Sequence, residues 1–262
     1  MATKSQNSTP YRPLGPTDRD LFAQICGHAR SGLRDVIDLM LIHNEQSVRG
    51  DQPRSTLNRL IAFLSVASWE RFIADLGALS QAPIGGPHPA PGTTNSRSGG
   101  AYLSTQKTGS GNAVDVLDRT SAGALPGNLR VRLPENGSGK RLTFGAAVTG
   151  MHPDLVDSVN WWIALRNGVA HRSIAKMPTW LYVSDATGSQ GQTVNTTTAR
   201  FAFALFAQLM DRSMQGVAQA AGMTGLAELG LPADWLTGQL TPSRGVTDPN
   251  QLRLWSGPSL VF

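Results

Sequence analysis

One short segment of the chain holds an arginine, an amide and a histidine at a spacing that suits phosphodiester chemistry. Arg166 is followed directly by Asn167, and His171 comes five positions after the arginine. A histidine titrates near neutral pH and can take up or release a proton. An arginine can bind two oxygens of one phosphate group and stays charged while negative charge builds up on them. These three residues are therefore the first candidates for a catalytic site.

Cleavage of RNA needs only groups of this kind, because RNA carries its own nucleophile. The 2′-hydroxyl attacks the adjacent phosphate, so the protein must supply a base for that hydroxyl, an acid for the leaving 5′-oxygen and positive charge for the phosphate. His171 suits the proton transfers, Arg166 suits the phosphate charge, and Asn167 can orient either partner. The route requires no metal or other cofactor. Its products carry a 2′,3′-cyclic phosphate and a 5′-hydroxyl.

The same segment resembles the signature of the HEPN superfamily. In that signature an arginine is followed by four to six residues and then a histidine, often with a polar residue directly after the arginine. Residues 67–76, Ala-Ser-Trp-Glu-Arg-Phe-Ile-Ala-Asp-Leu, also resemble the second helix of ribonuclease-like members. The family is helical and usually dimeric, and many members are ribonucleases of toxin–antitoxin, CRISPR and phage-defence systems. The resemblance covers roughly residues 18–80 and 150–220.

This resemblance implies a metal-independent endoribonuclease that acts as a toxin or phage-defence effector. Its catalytic residues would be Arg166, Asn167 and His171, its substrate RNA, and a further partner an antitoxin or another defence-system protein. In the family two copies of the motif meet in a homodimer. That arrangement would solve a geometric problem, because residues five apart lie roughly 140° apart on a regular helix. Arg172 stands where many relatives have a small residue, and it either blocks or assists the site.

Three further charged residues are candidates for supporting the site or binding RNA. Glu70 lies in a segment that is apolar on most sides, where a carboxylate needs a partner. That partner is Arg166 or, alternatively, the neighbouring Arg71 or a lysine elsewhere in the chain. Arg30 and Arg34 lie four residues apart on one predicted helix face. They either extend an RNA groove or form an ordinary solvated face.

Composition favours a polyanionic partner and excludes several other classes. The formal charge is +5 and the sequence pI is about 9.9, which favours nucleic acid. Arginine accounts for 19 of the 23 basic residues, a bias that fits phosphate binding and equally fits a genome rich in arginine codons. The single cysteine, Cys26, excludes an intrachain disulfide and is expected to be a small buried hydrophobe. The histidines outside the motif show no metal-ligand spacing: His28, His43, His88 and His152.

Apolar periodicity predicts four main helices, which cover residues 18–48, 56–80, 153–171 and 198–221. Shorter helices are predicted at 113–120 and 233–240, and a short strand at 129–133. A large insertion separates the second long helix from the third. This order predicts an all-α fold, a helical bundle with one long crossover, and the HEPN resemblance implies the same architecture.

The remaining segments are arranged around this bundle. The predicted divisions are a disordered tail at 1–16, the helical domain at 17–222 with a partly disordered insertion at 81–150, and a C-terminal extension at 223–262. The tail has no apolar signal segment, and no run of apolar residues approaches the length of a transmembrane helix. The expectation is therefore a cytoplasmic protein with no membrane partner.

Two alternatives to a ribonuclease stay open. A non-catalytic HEPN-type binding or dimerisation module would use Arg166 and His171 to hold the bundle or the dimer together. An unrelated helical nucleic-acid-binding protein would carry its basic face away from residues 166–171. Exposure of His171 in a cleft with Arg166 favours the enzyme over the binding module.

Overall fold

The chain forms seven α-helices in the part that the computed structural model describes. The described residues are 11–45, 54–93, 113–125, 130–132, 141–143, 153–171, 182–184, 190–192, 194, 196–240 and 254. The helices are α1 (Arg19–Glu45), α2 (Arg54–Gln81), α3 (Ala113–Thr120), α4 (Pro153–His171), α5 (Thr196–Ala220), α6 (Leu226–Leu229) and α7 (Ala233–Thr237). Four of these helices, α1, α2, α4 and α5, are long enough to form the framework of the molecule.

The long helices occupy the segments whose periodicity predicted them. Helices α3 and α4 coincide with the predicted 113–120 and 153–171. Helix α2 extends slightly beyond its predicted ends, and α5 begins two residues earlier than expected. The last predicted residues of α1, 46–48, lie outside the described part. These elements were predictable because apolar spacing along a helix is a local property of the sequence.

Helix α2 lies at the centre of the molecule and packs against α1, α3, α4 and α5. Its apolar side chains are buried on most of its circumference, as the sequence predicts: Ile61, Val66, Trp69, Phe72, Ile73, Leu76 and Leu79. A helix surrounded in this way has few positions open to solvent. Three of the charged residues that it carries, Glu70, Arg71 and Asp75, lie in its C-terminal half and must therefore find partners there.

The fold is all-α, as predicted. The strands in the described residues form two antiparallel hairpins of three-residue strands: β1 (Arg130–Arg132) with β2 (Arg141–Thr143), and β3 (Tyr182–Ser184) with β4 (Gln190–Gln192). The first of these confirms the short strand predicted at 129–133. Among the described helices, none combines the length and the apolar character needed to cross a membrane.

The N-terminal segment packs against the bundle from residue 11 onward, so the disordered tail predicted at 1–16 is corrected for residues 11–16 alone. The backbone N–H of Arg12 donates to the carbonyl of Ser80 at 3.0 Å, and Leu14 is buried in the core. Arg12 also forms an ion pair with Asp18 at 2.7 Å, just before α1 begins. Sequence patterns missed this segment because two or three anchoring residues are too few to show a period. Residues 1–10 lie outside the described part.

Segments predicted as additions to the helical domain contribute to its core. In the insertion, α3 packs against α2 and buries Ala113, Val116 and Leu117. Residues 94–112, a part of the insertion at 81–150 that was predicted to be partly disordered, lie outside the described residues. In the C-terminal extension, α6 and α7 pack against α5, and Leu229 and Trp235 join the hydrophobic core. The insertion and the extension are thus parts of one packed unit where they are described.

Candidate active site

Arg166 and Glu70 form an ion pair that joins α4 to α2. Nη2 of Arg166 donates a hydrogen bond to Oε1 of Glu70. The arginine side chain is 26% exposed and the glutamate side chain 17% exposed, so the pair lies at the edge of the core. Arg71, the alternative partner left open by the sequence, approaches Asp75 at 3.7 Å. The predicted pairing of Glu70 with Arg166 is therefore what the structure contains.

Burial and the ion pair act on Glu70 in opposite directions. Burial raises the pKa of the Glu70 carboxyl because the charged form loses solvation, and the charge and hydrogen bond of Arg166 offset part of that rise. A guanidinium has five N–H donors. The contact with Glu70 therefore orients the group and leaves further N–H donors of the guanidinium for other acceptors. The Nε atom of Arg166 is buried and has no acceptor among the described residues.

The rest of the predicted motif continues along α4. Asn167 is half-buried, Gly168 is buried, and the helix runs through both to end at His171. The helix is not broken at Gly168, so the separation of roughly 140° between positions 166 and 171 applies to the observed backbone. The side chain of His171 and the whole of Arg172 lie outside the described part of the structure.

An open cleft of about 350 Å³ lies between α1 and α2, and Glu70 is one of its walls. Both polar and apolar residues line it: His28, Ala29, Gly32, Asp35, Leu64, Ala67, Ser68, Glu70 and Arg71. Glu70 also binds Arg166, so one residue of the cleft wall belongs to the ion pair. The partner of the predicted catalytic arginine thus lines a space that can admit a ligand.

Asp75 lies next to two residues that line the cleft, His28 and Arg71, and is 1% exposed. Its two carboxylate oxygens accept hydrogen bonds from the backbone N–H of Gly92 at 3.0 and 3.2 Å. Nδ1 of His28 approaches one of the same oxygens at 3.6 Å, and Nη1 of Arg71 approaches the other at 3.7 Å. A buried carboxylate that is surrounded in this way holds its neighbours in fixed orientations.

Residues 82–93, which we call the strap, follow α2 and return across its surface to His28. At Gly92 the backbone has a φ of +85°, a conformation that favours glycine. A Cβ atom at this position would lie 2.8 Å from Nε2 of His28, so a side chain there would collide with the ring. The strap and Asp75 together position His28, whose side chain remains 44% exposed.

The two arginines of α1 have different surroundings. Nη1 of Arg30 donates to the backbone carbonyls of Glu228 and Gly230 at 2.6 and 2.9 Å. Arg30 therefore anchors the C-terminal segment to α1, a role that the RNA-groove prediction did not foresee. Arg34 is exposed and lies 3.7 Å from Asp38 on the same helix, the solvated pair that the alternative prediction described.

Sequence patterns missed His28 and Asp75 as members of the site. They lie on α1 and α2, far apart in the chain, and no local spacing relates them. The signal that was present concerned Asp75 alone, since an acidic residue on a helix that is apolar on most sides must have a partner. The identity of that partner depends on how α1 crosses α2, which periodicity does not encode.

Cys26 is a buried hydrophobe, as predicted. It is fully enclosed in the core, and burial raises the pKa of its thiol to about 12. A thiol in that state is not a nucleophile at neutral pH. Within the described residues, no group of three or more histidine, cysteine or acidic side chains could hold a metal ion.

Comparison with known proteins finds no match for this chain. No protein-family model matches the chain, and neither a curated protein nor a solved structure matches it. The function must therefore be argued from the residues and their geometry.

Proposed function

We propose that this protein is a metal-independent endoribonuclease of the HEPN type, with a site built on Arg166, Asn167 and His171. One observation carries the proposal. The arginine of the motif is oriented by a carboxylate on the central helix, and that carboxylate lines an open cleft. An arginine that is fixed in this way can stabilise charge without first being reorganised. A four-helix HEPN-type architecture, with α1, α2, α4 and α5 as its helices, belongs to the same proposal.

The chemistry follows from the groups themselves. Arg166 binds two non-bridging oxygens of the scissile phosphate, while Glu70 keeps the guanidinium plane in place. The 2′-hydroxyl of the RNA attacks the phosphorus, and the bond from phosphorus to the 5′-oxygen breaks. His171 transfers a proton in this reaction, and Asn167 orients the phosphate or the histidine. The phosphate oxygens gain charge in the transition state, which is where the arginine contributes most.

A homodimer completes the proposed site. Positions 166 and 171 lie on one regular helix at roughly 140° from each other, so one copy of the motif does not present both groups on one face. Two motifs at an interface along α4 supply an arginine and a histidine to each phosphate from opposite directions. The same arrangement supplies two histidines, one as base and one as acid.

The biological setting is part of the proposal. A ribonuclease of this kind acts on RNA inside the cell as a toxin or a phage-defence effector, and its activity is restrained by an antitoxin or another protein of the same system. The net charge of +5 suits a polyanionic substrate.

A second candidate is a non-catalytic HEPN-type binding or dimerisation module. The observation that favours it is the same ion pair, since Arg166 and Glu70 also hold α4 against α2. In that case replacing either residue changes stability or assembly and no reaction is affected.

Incubation of the purified chain with RNA of mixed sequence, in the presence of EDTA, tests the proposal. We expect cleavage by the unaltered chain and a loss of roughly 10²-fold or more in the His171→Ala variant, because general acid–base groups typically contribute that much. Circular dichroism should show equal helical content for the two proteins. A chain that leaves RNA intact, or a variant that cleaves as fast as the original, contradicts the proposal.

A further inference from the structure

The cleft between α1 and α2 contains more chemistry than the proposed cleavage step uses. Arg166, Asn167 and His171 all belong to α4, whereas the cleft is lined by residues of α1 and α2. Its volume of about 350 Å³ is at the lower end of the range for ligand pockets, which is roughly 300–1,000 Å³. That size suits one small flat molecule or one unit of a polymer.

The His28 ring, which forms one wall of the cleft, is held by contacts on two sides. Asp75 lies 3.6 Å from Nδ1 of the ring, and Gly92 of the strap lies against Nε2. Asp75 is in turn held by the backbone N–H of Gly92. An imidazole that is fixed on two sides and still 44% exposed presents a flat surface to the cleft. Single-stranded bases stack on histidine rings and on guanidinium planes such as that of Arg71.

The charges around the cleft are mixed. Two basic residues, His28 and Arg71, line the same space as two carboxylates, Asp35 and Glu70. A site for a bare phosphate would instead concentrate positive charge. A neutral ring with N–H donors on its edge satisfies this lining better, because it can stack on the basic groups and donate to a carboxylate. Glu70 is already bound to Arg166, so the exposed Asp35 is the carboxylate available for such donors.

We propose that this cleft binds one unpaired guanine base of the RNA substrate, next to the scissile phosphate. The inference rests on the proposed function for the identity of the substrate. His28 and Arg71 provide the stacking surfaces, and Asp35 reads the edge of the base. The base lies next to the phosphate because Glu70 borders the cleft and also holds Arg166.

Guanine is the base whose edge matches a carboxylate. Its N1–H and N2 amino group are adjacent donors, and they pair with the two oxygens of a carboxylate. Adenine and cytosine place an acceptor nitrogen beside their amino group, and uracil places a carbonyl on each side of its N–H. Those acceptors would face the negative charge of Asp35. One good bidentate contact of this kind discriminates between bases roughly 10- to 100-fold.

Binding to short single strands of 2′-O-methyl RNA tests the inference without cleavage, because these strands lack the nucleophile. One strand contains a single guanine among adenines and the other contains adenines only. Fluorescence anisotropy should show that the unaltered protein binds the guanine strand about 10-fold more tightly. Asp35→Asn should remove this preference. Asp38→Asn, an exposed carboxylate on the same helix, makes the same charge change outside the cleft and should keep it.

His28→Ala separates stacking from edge recognition, since it should weaken binding of both strands by a similar factor. Equal binding of the two strands by the unaltered protein, or a preference that survives Asp35→Asn, overturns the inference. Cleavage of unmodified RNA is assayed in parallel. A guanine preference without cleavage would support the base site and contradict the proposed ribonuclease activity. Cleavage without a guanine preference would support the ribonuclease activity and contradict the base site.

Discussion

Glu70 and Asp75 are carboxylates on the same central helix, but they differ in how deeply they are buried and in how many partners surround them. Asp75 is 1% exposed, accepts two hydrogen bonds from Gly92 and has two basic side chains close to it. Glu70 is 17% exposed, receives a hydrogen bond from Arg166, and has a pKa that burial raises. A carboxylate enclosed by its partners holds the structure, whereas one at the border of a cleft can orient a group that binds ligand.

A charged residue on an otherwise apolar helix can therefore either hold neighbouring parts of the structure in place or orient a functional group. At Asp75 the partners fix the strap and His28 in position. At Glu70 the partner is the arginine of the motif, and the cleft lies beside it. Changes at the first site should therefore act mainly on stability, and changes at the second mainly on activity.

The largest effect is expected for Arg166→Ala. Removing the guanidinium takes away the charge that stabilises the transition state, which should lower the rate of RNA cleavage by roughly 10²–10³-fold. Helical content should be unchanged by circular dichroism. Arg119→Ala is the matched control, because Arg119 is an exposed arginine on α3 that lies 3.8 Å from Asp115, away from the cleft. Equal loss of activity in both variants would mean that net charge, and not this site, determines the rate.

The next effect is a loss of stability for Asp75→Asn. The amide cannot replace the charge that faces His28 and Arg71, and leaving such groups without their partner costs about 2–3 kcal/mol. Urea unfolding followed by circular dichroism measures the free energy of unfolding. Asp115→Asn, on the more exposed pair of α3, should change it by less than about 1 kcal/mol. A stable Asp75→Asn variant would show that the enclosed carboxylate does not hold the strap.

A smaller effect is expected at Asp18, outside the site. Hydrogen bonds from Arg12, and a further one from Gly15, lower the pKa of Asp18 below 3.8 although the residue is buried. The lowered pKa stabilises the fold above pH 3.8, and that contribution is lost as the pH falls through the folded-state pKa. Asp18→Asn should cost about 1–2 kcal/mol at neutral pH. Unfolding curves at a series of pH values should show the difference from the original chain shrinking in acid, and a constant difference would contradict this assignment.

The smallest effect on stability is expected for Glu70→Gln. The pKa of Glu70 is raised above 4.5, so the folded state holds its proton more tightly than the unfolded state does. The stability of the original chain relative to the variant should therefore fall as the pH rises from 4.5 through the folded-state pKa. We expect a change below about 1 kcal/mol, since partly exposed ion pairs contribute little. A relative stability that rises with pH over this range would show that Arg166 outweighs burial.

Much of the fold could be predicted from local patterns. Helices α3 and α4 begin and end where apolar spacing placed them, and α2 is central because it is apolar on most sides. The need of Glu70 for a cationic partner was also predictable, because it lies on such a helix, but the sequence left open which basic residue that partner is. The predictable features use spacing or chemistry that is visible within one segment.

What could not be predicted depends on contacts between distant segments. The approach of His28 to Asp75 follows from the crossing of α1 and α2, and the turn at Gly92 follows from the path of the strap over that crossing. The anchoring of Arg30 on carbonyls of the C-terminal segment has the same origin. In each case the partner is chosen by tertiary packing, and the residue types alone allow several choices.

The chemical ends of the cleavage products show directly whether the 2′-hydroxyl is the nucleophile. The proposed route uses the 2′-hydroxyl as nucleophile, with Arg166 and His171 and without a metal. RNA cleaved in EDTA should therefore carry a 2′,3′-cyclic phosphate on one product and a 5′-hydroxyl on the other, which mass spectrometry can identify. A 3′-hydroxyl with a 5′-phosphate would mean that water is the nucleophile. That result would contradict the proposed cleavage route even if the all-α fold and the ion pair are as described.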